Sequence, residues 1–229
     1  MIIKGLQNTT LLDFPGRVAC TVFTGGCNLR CPFCHNASLV LSPADTPDIS
    51  EEQFFSFLSK RKGILDGVCV TGGEPLLQKD IVPFLERIHS LGFAVKLDTN
   101  GSFPERLAEI VSLGLVDYIA MDIKNADNKY ALTAGIKEYT DSFSQSIDII
   151  MNCGVPYEFR TTVVKELHTN EDILNIAKRI SGAERYYLQA FKDSGDLIDA
   201  SFSAHSEEAM RDMLNTVRPY VRECGLRGI

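Results

Sequence analysis

No apolar run in this 229-residue chain approaches the roughly 20 residues that a membrane-spanning helix needs. Excess positive charge is also missing. The net charge is -7, which argues against nucleic acid or an anionic membrane as the main partner. The segment Met1 to Leu6 is too short and too polar to read as a secretory signal, so a cytoplasmic location is expected. There are no repeats, no low-complexity tracts and no linker rich in Pro, Gly or Ser, and the reading is one domain over residues 1–229. With 45% hydrophobic and 23% charged residues, the composition suits a globular protein with a real core. Seven cysteines is an odd number, and three of them are clustered, so metal or cluster ligation is favoured over a disulfide framework.

Those three stand in the run Cys27-Asn28-Leu29-Arg30-Cys31-Pro32-Phe33-Cys34, spaced C-x3-C-x2-C with no fourth cysteine near. Three thiolates can hold three corners of an iron–sulfur cube and leave one iron open to a substrate or cosubstrate. The alternative is zinc, with His35 as a nitrogen ligand. Structural zinc usually joins two separated ligand pairs, and no second pair is visible. Cys20 and Cys69 lie in apolar runs and read as small buried hydrophobes, while Cys153 and Cys224 are isolated near helix ends.

Six β-rich runs are expected as strands: Val18 to Phe23, Gly67 to Thr71, Phe93 to Asp98, Tyr118 to Ile123, Tyr157 to Val164 and Tyr186 to Leu188. Helical patterns lie between them. Ser50-Glu51-Glu52-Gln53 reads as a capping box, Asp80 as the cap of a helix that Gly92 stops, and Pro104 as the first residue of a helix ended by Gly114. Further helices are expected over about 140–153, 170–181 and 206–218. Strand–helix units in series imply a parallel sheet with outer helices, closed like a barrel or doubly wound. Either way, chemistry collects where the strands end.

The unusual polar residues do collect there. Gly72-Gly73-Glu74-Pro75 follows the second strand, and glycines would let a ligand approach the backbone while Glu74 or a carbonyl receives an ammonium group. Asp98-Thr99-Asn100-Gly101 ends the third strand and Asp122-Ile123-Lys124 the fourth, with Arg160 inside the fifth. Asp98 and Asp122 read singly as caps or turns. Together with Lys124 and Arg160 they could hold a zwitterionic ligand. Arg160 interrupts a β-rich run, so it is expected to enter the barrel and find a partner there. Phe33 could be core or could stack on a planar ligand. His89, His168 and His205 read as surface or cap residues without a role, and Asp13-Phe14-Pro15-Gly16 as a turn that could shape the mouth of the site.

Cys27-x3-Cys31-x2-Cys34 with Phe33, followed by Gly72-Gly73-Glu74-Pro75 on six βα units, resembles the radical S-adenosylmethionine (radical SAM) superfamily. The run Cys31-Pro32-Phe33-Cys34-His35-Asn36, with Asp98-Thr99-Asn100-Gly101 and Asp122-Ile123-Lys124, resembles its glycyl-radical-enzyme activases. Gly5-Leu6-Gln7, Leu12-Asp13-Phe14-Pro15-Gly16 and Leu226-Arg227-Gly228 resemble the activators of anaerobic ribonucleoside-triphosphate reductase.

The resemblance implies an α/β fold, a partial (β/α)6 TIM-like barrel. It implies a 4Fe–4S cluster on Cys27, Cys31 and Cys34, with S-adenosylmethionine as cosubstrate. Phe33 and the backbone around His35 would contact adenine. Gly72, Gly73 and Glu74 would face the methionine ammonium, and Asp122, Lys124 and Arg160 the ribose and carboxylate. Asp98 would help bind a monovalent cation. The implied partners are a large glycyl radical enzyme and an electron donor such as flavodoxin or ferredoxin. Leu188-Gln189-Ala190-Phe191 lacks the histidine often found in pyruvate formate-lyase activases. Alternatives are an activase of that type, a radical enzyme acting on a small molecule, and a non-catalytic metal-binding protein.

Overall fold

A computed structural model describes residues 1–138 and 140–229. One eight-stranded sheet runs in chain order: β1 (Ile3–Thr10), β2 (Ala19–Thr24), β3 (Gly67–Gly72), β4 (Ala94–Thr99), β5 (Tyr118–Asp122), β6 (Tyr157–Val163), β7 (Arg185–Ala190) and β8 (Glu223–Arg227). β1 pairs antiparallel with β2, and every later pair is parallel. The six expected strands are β2 to β7.

The two flanking strands were not legible in advance. β1 reads IKGLQNTT and β8 reads ECGLR, both polar sheet-edge segments with weak alternation. β8 contains Cys224, which is therefore a strand residue and not a helix-end one. β1 and β8 do not pair with each other among the described residues, so the sheet curls without closing.

Among the described residues eight α-helices connect the strands: α1 (Ala37–Leu41), α2 (Glu51–Ser59), α3 (Ile81–Ser90), α4 (Pro104–Ser112), α5 (Asp127–Ala134), α6 (Ser142–Asn152), α7 (Asn170–Arg179) and α8 (Glu207–Val217). The capping box of α2 forms as its sequence dictates: Ser50 Oγ accepts from Gln53 N at 3.2 Å, and Gln53 Oε1 from Ser50 N at 2.9 Å. Asp80 stands at the start of α3 without bonding its amides. Its carboxylate pairs instead with the N-terminal ammonium of Met1, 2.9 Å away.

Side chains alternate across the strands with period two. Val68, Val70, Val95, Leu97, Ile119, Met121, Phe159 and Leu188 face outward into the main core beneath the helices. Most intervening positions are polar and face the barrel lumen, namely Cys69, Lys96, Asp98, Asp122, Glu158 and Arg160, with Ala120 an apolar exception. Because the barrel is incomplete, this lumen can open to ligand and water, which polar residues tolerate and a closed apolar core does not.

The Asp13–Gly16 turn lies at the wrong end to shape the mouth. Phe14 packs against Ala19 and Tyr118, the first residues of β2 and β5, and against Gly67 at the start of β3. It plugs the base of the barrel, opposite the strand ends where the cysteines emerge.

Candidate active site

Cys27, Cys31 and Cys34 lie on the loop between β2 and α1. The Cys34 amide donates to Cys31 O at 3.0 Å, and the Arg30 guanidinium caps Cys27 O at 2.6 Å and Leu29 O at 2.7 Å. The Arg30 amide reaches Ala134 O at 2.9 Å and so fastens the loop to the end of α5. After β7, an irregular segment lies against the same loop. The Asp199 amide donates to Pro32 O at 2.9 Å, and the Asp196 carboxylate accepts from Ser38 N and Oγ.

All three cysteines line one cavity of about 160 Å³. Phe33, His35, Gly72, Gly73, Asp98, Asp122, Lys124 and Arg160 line it too. Thus residues from four strand ends and the cysteine loop, scattered over 134 positions of the chain (Cys27 to Arg160), meet at one place. Glu74 does not join them.

Two observations test whether a metal cluster fits here. Burial raises the Cys27 thiol and pushes Cys31 up to about 12, with Lys124 opposing the rise at Cys31. Buried thiols of this kind become thiolates when a metal charge offsets their desolvation. His35 stacks on Phe191 (5.5 Å between centroids, 18° between planes), and its buried Nε2 has no hydrogen-bond partner. An orphaned polar atom in a cavity wall costs about 1–3 kcal/mol until something completes it. The donor set therefore fits a cluster with a ligand beside it.

Gly72 and Gly73 are required for a reason the sequence did not reveal. A Cβ on Gly73 would stand 1.9 Å from Gly26 O. The Gly73 and Glu74 amides donate to Thr24 O and Gly26 O, both at 2.9 Å. The glycines thus admit the neighbouring backbone as well as facing the cavity. Asn36 donates its side-chain amide to Gly72 O at 3.1 Å and joins this turn to the cysteine loop.

The expectation for Glu74 needs correction. It is 0% exposed, and both carboxylate oxygens are engaged by protein: Oε1 accepts from Leu76 N at 3.0 Å and Thr99 Oγ1 at 2.9 Å, and Oε2 from Asn100 N at 2.7 Å. Burial pushes this carboxyl up to about 7 even though these donors pull it down. It ties the ends of β3 and β4 together and does not face a ligand.

Arg160 enters the lumen as its sequence context implied. Its Nη1 meets Asp98 Oδ2 at 3.0 Å and its Nε meets Asp122 Oδ1 at 2.8 Å. Lys96 holds the other oxygen of Asp98, and Lys124 Nζ lies 3.2 Å from Asp122 Oδ2. The chain Lys96–Asp98–Arg160–Asp122–Lys124 alternates in sign, and Glu158 joins it 4.0 Å from Arg160 with Arg227 as its further partner, so four cations face three carboxylates and one positive charge is left for an anionic group. Burial alone would raise both carboxyls. Arg160 and Lys96 outweigh it at Asp98, and Arg160 and Lys124 at Asp122, so both stay below the ordinary carboxylate range. Deeper in the lumen, Arg227 grips the buried Glu158 with two bonds of 2.7 and 2.8 Å.

Several residues of this site escaped the sequence reading. Lys96 is 1% exposed, and its only signal was a lysine between Val95 and Leu97. Cys69 is fully buried in β3 as expected, but its sulfur faces the lumen, 3.8 Å from both Lys96 Nζ and Asp98 Oδ1. His168 is buried rather than on the surface. Its Nδ1 accepts from Val164 N at 3.1 Å and its Nε2 donates to Lys124 O at 2.8 Å, while Phe33 meets it edge-on. Asn100 carries no signal in the rim segment Asp98–Gly101 that sets it apart, yet its side chain reaches the Cys27 sulfur.

The family model described as the radical SAM superfamily matches residues 21–180 of this chain. The chain belongs to the radical SAM superfamily. Membership brings a 4Fe–4S cluster and S-adenosylmethionine as cofactors, and makes the protein an enzyme. Over its whole length the chain is 30% identical to a putative glycyl-radical enzyme activating enzyme from Methanocaldococcus jannaschii, covering 96% of that protein. It is 27% identical to the pyruvate formate-lyase-activating enzyme of Clostridium pasteurianum, over 96% of this chain and 97% of that one.

Two solved structures share the radical SAM fold at low identity. A domain of pyruvate-formate lyase-activating enzyme from Bacteroides vulgatus superposes with a TM-score of 0.59 at 18% identity, covering 71% of this chain and 99% of that domain. Streptococcus suis SuiB bound to precursor peptide SuiA gives 0.72 at 16% identity over 91% of this chain, which spans 48% of that protein.

Proposed function

We propose that this radical SAM enzyme is an activase that installs a glycyl radical on a partner enzyme, the anaerobic ribonucleoside-triphosphate reductase. The carrying observation is that the cysteines and the charge chain share one cavity at the rim of a sheet that does not close. An open rim can admit a backbone loop from a large protein. Whole-length similarity to two activating enzymes supports the activase reading.

Cys27, Cys31 and Cys34 would hold the cluster. Once reduced by an external one-electron donor, a cluster held there would supply the electron that splits the sulfonium of S-adenosylmethionine into methionine and a 5′-deoxyadenosyl radical. The protein binds and orients. Lys124, with the surplus positive charge of its chain, receives the methionine carboxylate. Carbonyls of the Gly72–Gly73 turn receive the ammonium, and His35 and Phe33 present ring faces and an unpaired nitrogen to the adenine. Asp122 stays ionised because Arg160 holds it, and so remains an acceptor for a ribose hydroxyl. Asp98 is assigned to the charge chain: with Lys96 and Arg160 on its two oxygens, it has no unmatched charge for a monovalent cation.

The choice of reductase over lyase rests on the opening and closing segments and on Leu188-Gln189-Ala190-Phe191, which lacks the histidine often found in the lyase activases. Pyruvate formate-lyase is the second reading, favoured by the clostridial relative. A cytoplasmic site and a flavodoxin or ferredoxin donor complete the proposal. The test is to reduce the reconstituted protein, add cosubstrate and each partner in turn, and record electron paramagnetic resonance spectra. A glycyl doublet on the reductase supports the proposal, a doublet on the lyase alone moves the assignment to the lyase, and no doublet on either overturns it.

A further inference from the structure

We propose that Asn100 is a positioning residue that sets the reduction potential of the cluster by donating a hydrogen bond to the sulfur of Cys27. The inference rests on Cys27 being a cluster ligand. Asn100 Nδ2 lies 3.7 Å from Cys27 Sγ, and the Leu29 amide approaches the same sulfur at 3.4 Å.

The orientation of the Asn100 amide is decided by its neighbours. Oδ1 accepts from Ser102 N at 2.9 Å and from Ser102 Oγ at 2.5 Å. That leaves the amino group to face Cys27 and Asn28 Oδ1, the latter 3.1 Å away. The backbone beneath is pinned as well. Asn100 N is bonded to Glu74, Gly101 N donates to Thr99 Oγ1 at 3.1 Å, and Ser146 Oγ donates to Gly101 O at 2.7 Å. This gives the buried Glu74 a purpose: it touches no ligand and acts through Asn100.

A cluster that gains an electron places more negative charge on its sulfurs. A fixed N–H donor stabilises that state more than the oxidised one, and so raises the potential. In a partly buried loop with few competing waters the effect is large enough to read.

The experiment is an electron paramagnetic resonance-monitored redox titration of the reconstituted wild type, Asn100→Leu and Asn100→Asp, without cosubstrate, alongside iron and sulfide analysis. The expected result is full cluster loading with a midpoint potential more negative in Asn100→Leu. Asn100→Asp should be more negative still, because a carboxylate oxygen replaces the donor. Ser102→Ala, which releases Oδ1, should shift the potential in the same direction by less. Unchanged potentials at full loading overturn the inference. So does loss of the cluster in all three variants with a wild-type circular dichroism spectrum, which would assign Asn100 to assembly. Wild type that takes up no 4Fe–4S cluster would instead refute the ligand assignment on which the inference stands.

Discussion

Arg160 and Asp122 are register partners on the adjacent strands β6 and β5, and their side chains meet inside the lumen with Nε 2.8 Å from Oδ1. The same guanidinium bonds Asp98 on β4, so one arginine spans three strands of the barrel.

Replacing Arg160 by Met leaves Asp98 and Asp122 without their shared partner inside the lumen. Breaking a fully buried pair costs about 3–5 kcal/mol; Arg160 and Asp98 are each 13% exposed and Asp122 32%, so water screens part of that cost and a smaller loss is expected. The expected result is a lower urea midpoint for the cluster-free protein and loss of cosubstrate binding in calorimetry. Arg160→Lys should recover part of the stability and little of the binding, because an ammonium cannot reach both carboxylates with a planar fork. Unchanged stability in Arg160→Met would refute the bridging role.

Gly73→Ala places a methyl group against Gly26 O, at a separation of 1.9 Å before relaxation. The obstacle is backbone, so the turn must move. About 1–3 kcal/mol of destabilisation is expected, together with weaker cosubstrate binding, since both glycines line the cavity. Thermal unfolding and titration calorimetry on the same sample check both effects.

His168 supplies a pH dependence. Burial holds its imidazole below the ordinary histidine value, and nearby His205 lowers it further, against the pull of the Lys124 and Val164 backbone and of Asp172. The folded state therefore binds its proton less readily than the unfolded state does. Its contribution to stability is full above the unfolded value of about 6.5 and is lost as pH falls through the lower folded value. Wild type should lose stability relative to His168→Gln between pH 8 and pH 5, read from denaturation midpoints. A constant difference across that range would contradict the assignment.

Cys31→Ala should abolish cluster absorbance and cosubstrate cleavage together, with iron and sulfide both falling in reconstituted protein. Retained cleavage would remove Cys31 from the ligand set. Zinc at one per chain without sulfide in the wild type would end the cluster assignment altogether.

Much of this protein was legible in the sequence. The β-branched runs marked β2 to β7 because core-facing strand positions must be apolar and regularly spaced, and the cysteine spacing marked the chemistry because ligand number limits what a metal can do. Arg160 was readable as a lumen residue because an arginine has no other reason to interrupt such a strand. β1, β8 and the base-plugging turn were not readable, since edge strands and turns carry no strong periodic signal. The roles of Glu74, Cys69, Asn100 and His168 depended on their neighbours in space. A carboxylate after two glycines looks the same in sequence whether it faces a ligand or three protein donors. The sequence alone determined which residue types are present and which strands carry them to the rim. Only the tertiary structure decided which polar groups satisfy one another and which remain free for a ligand, because hydrogen bonds and ion pairs act over a few ångströms between residues far apart in the chain.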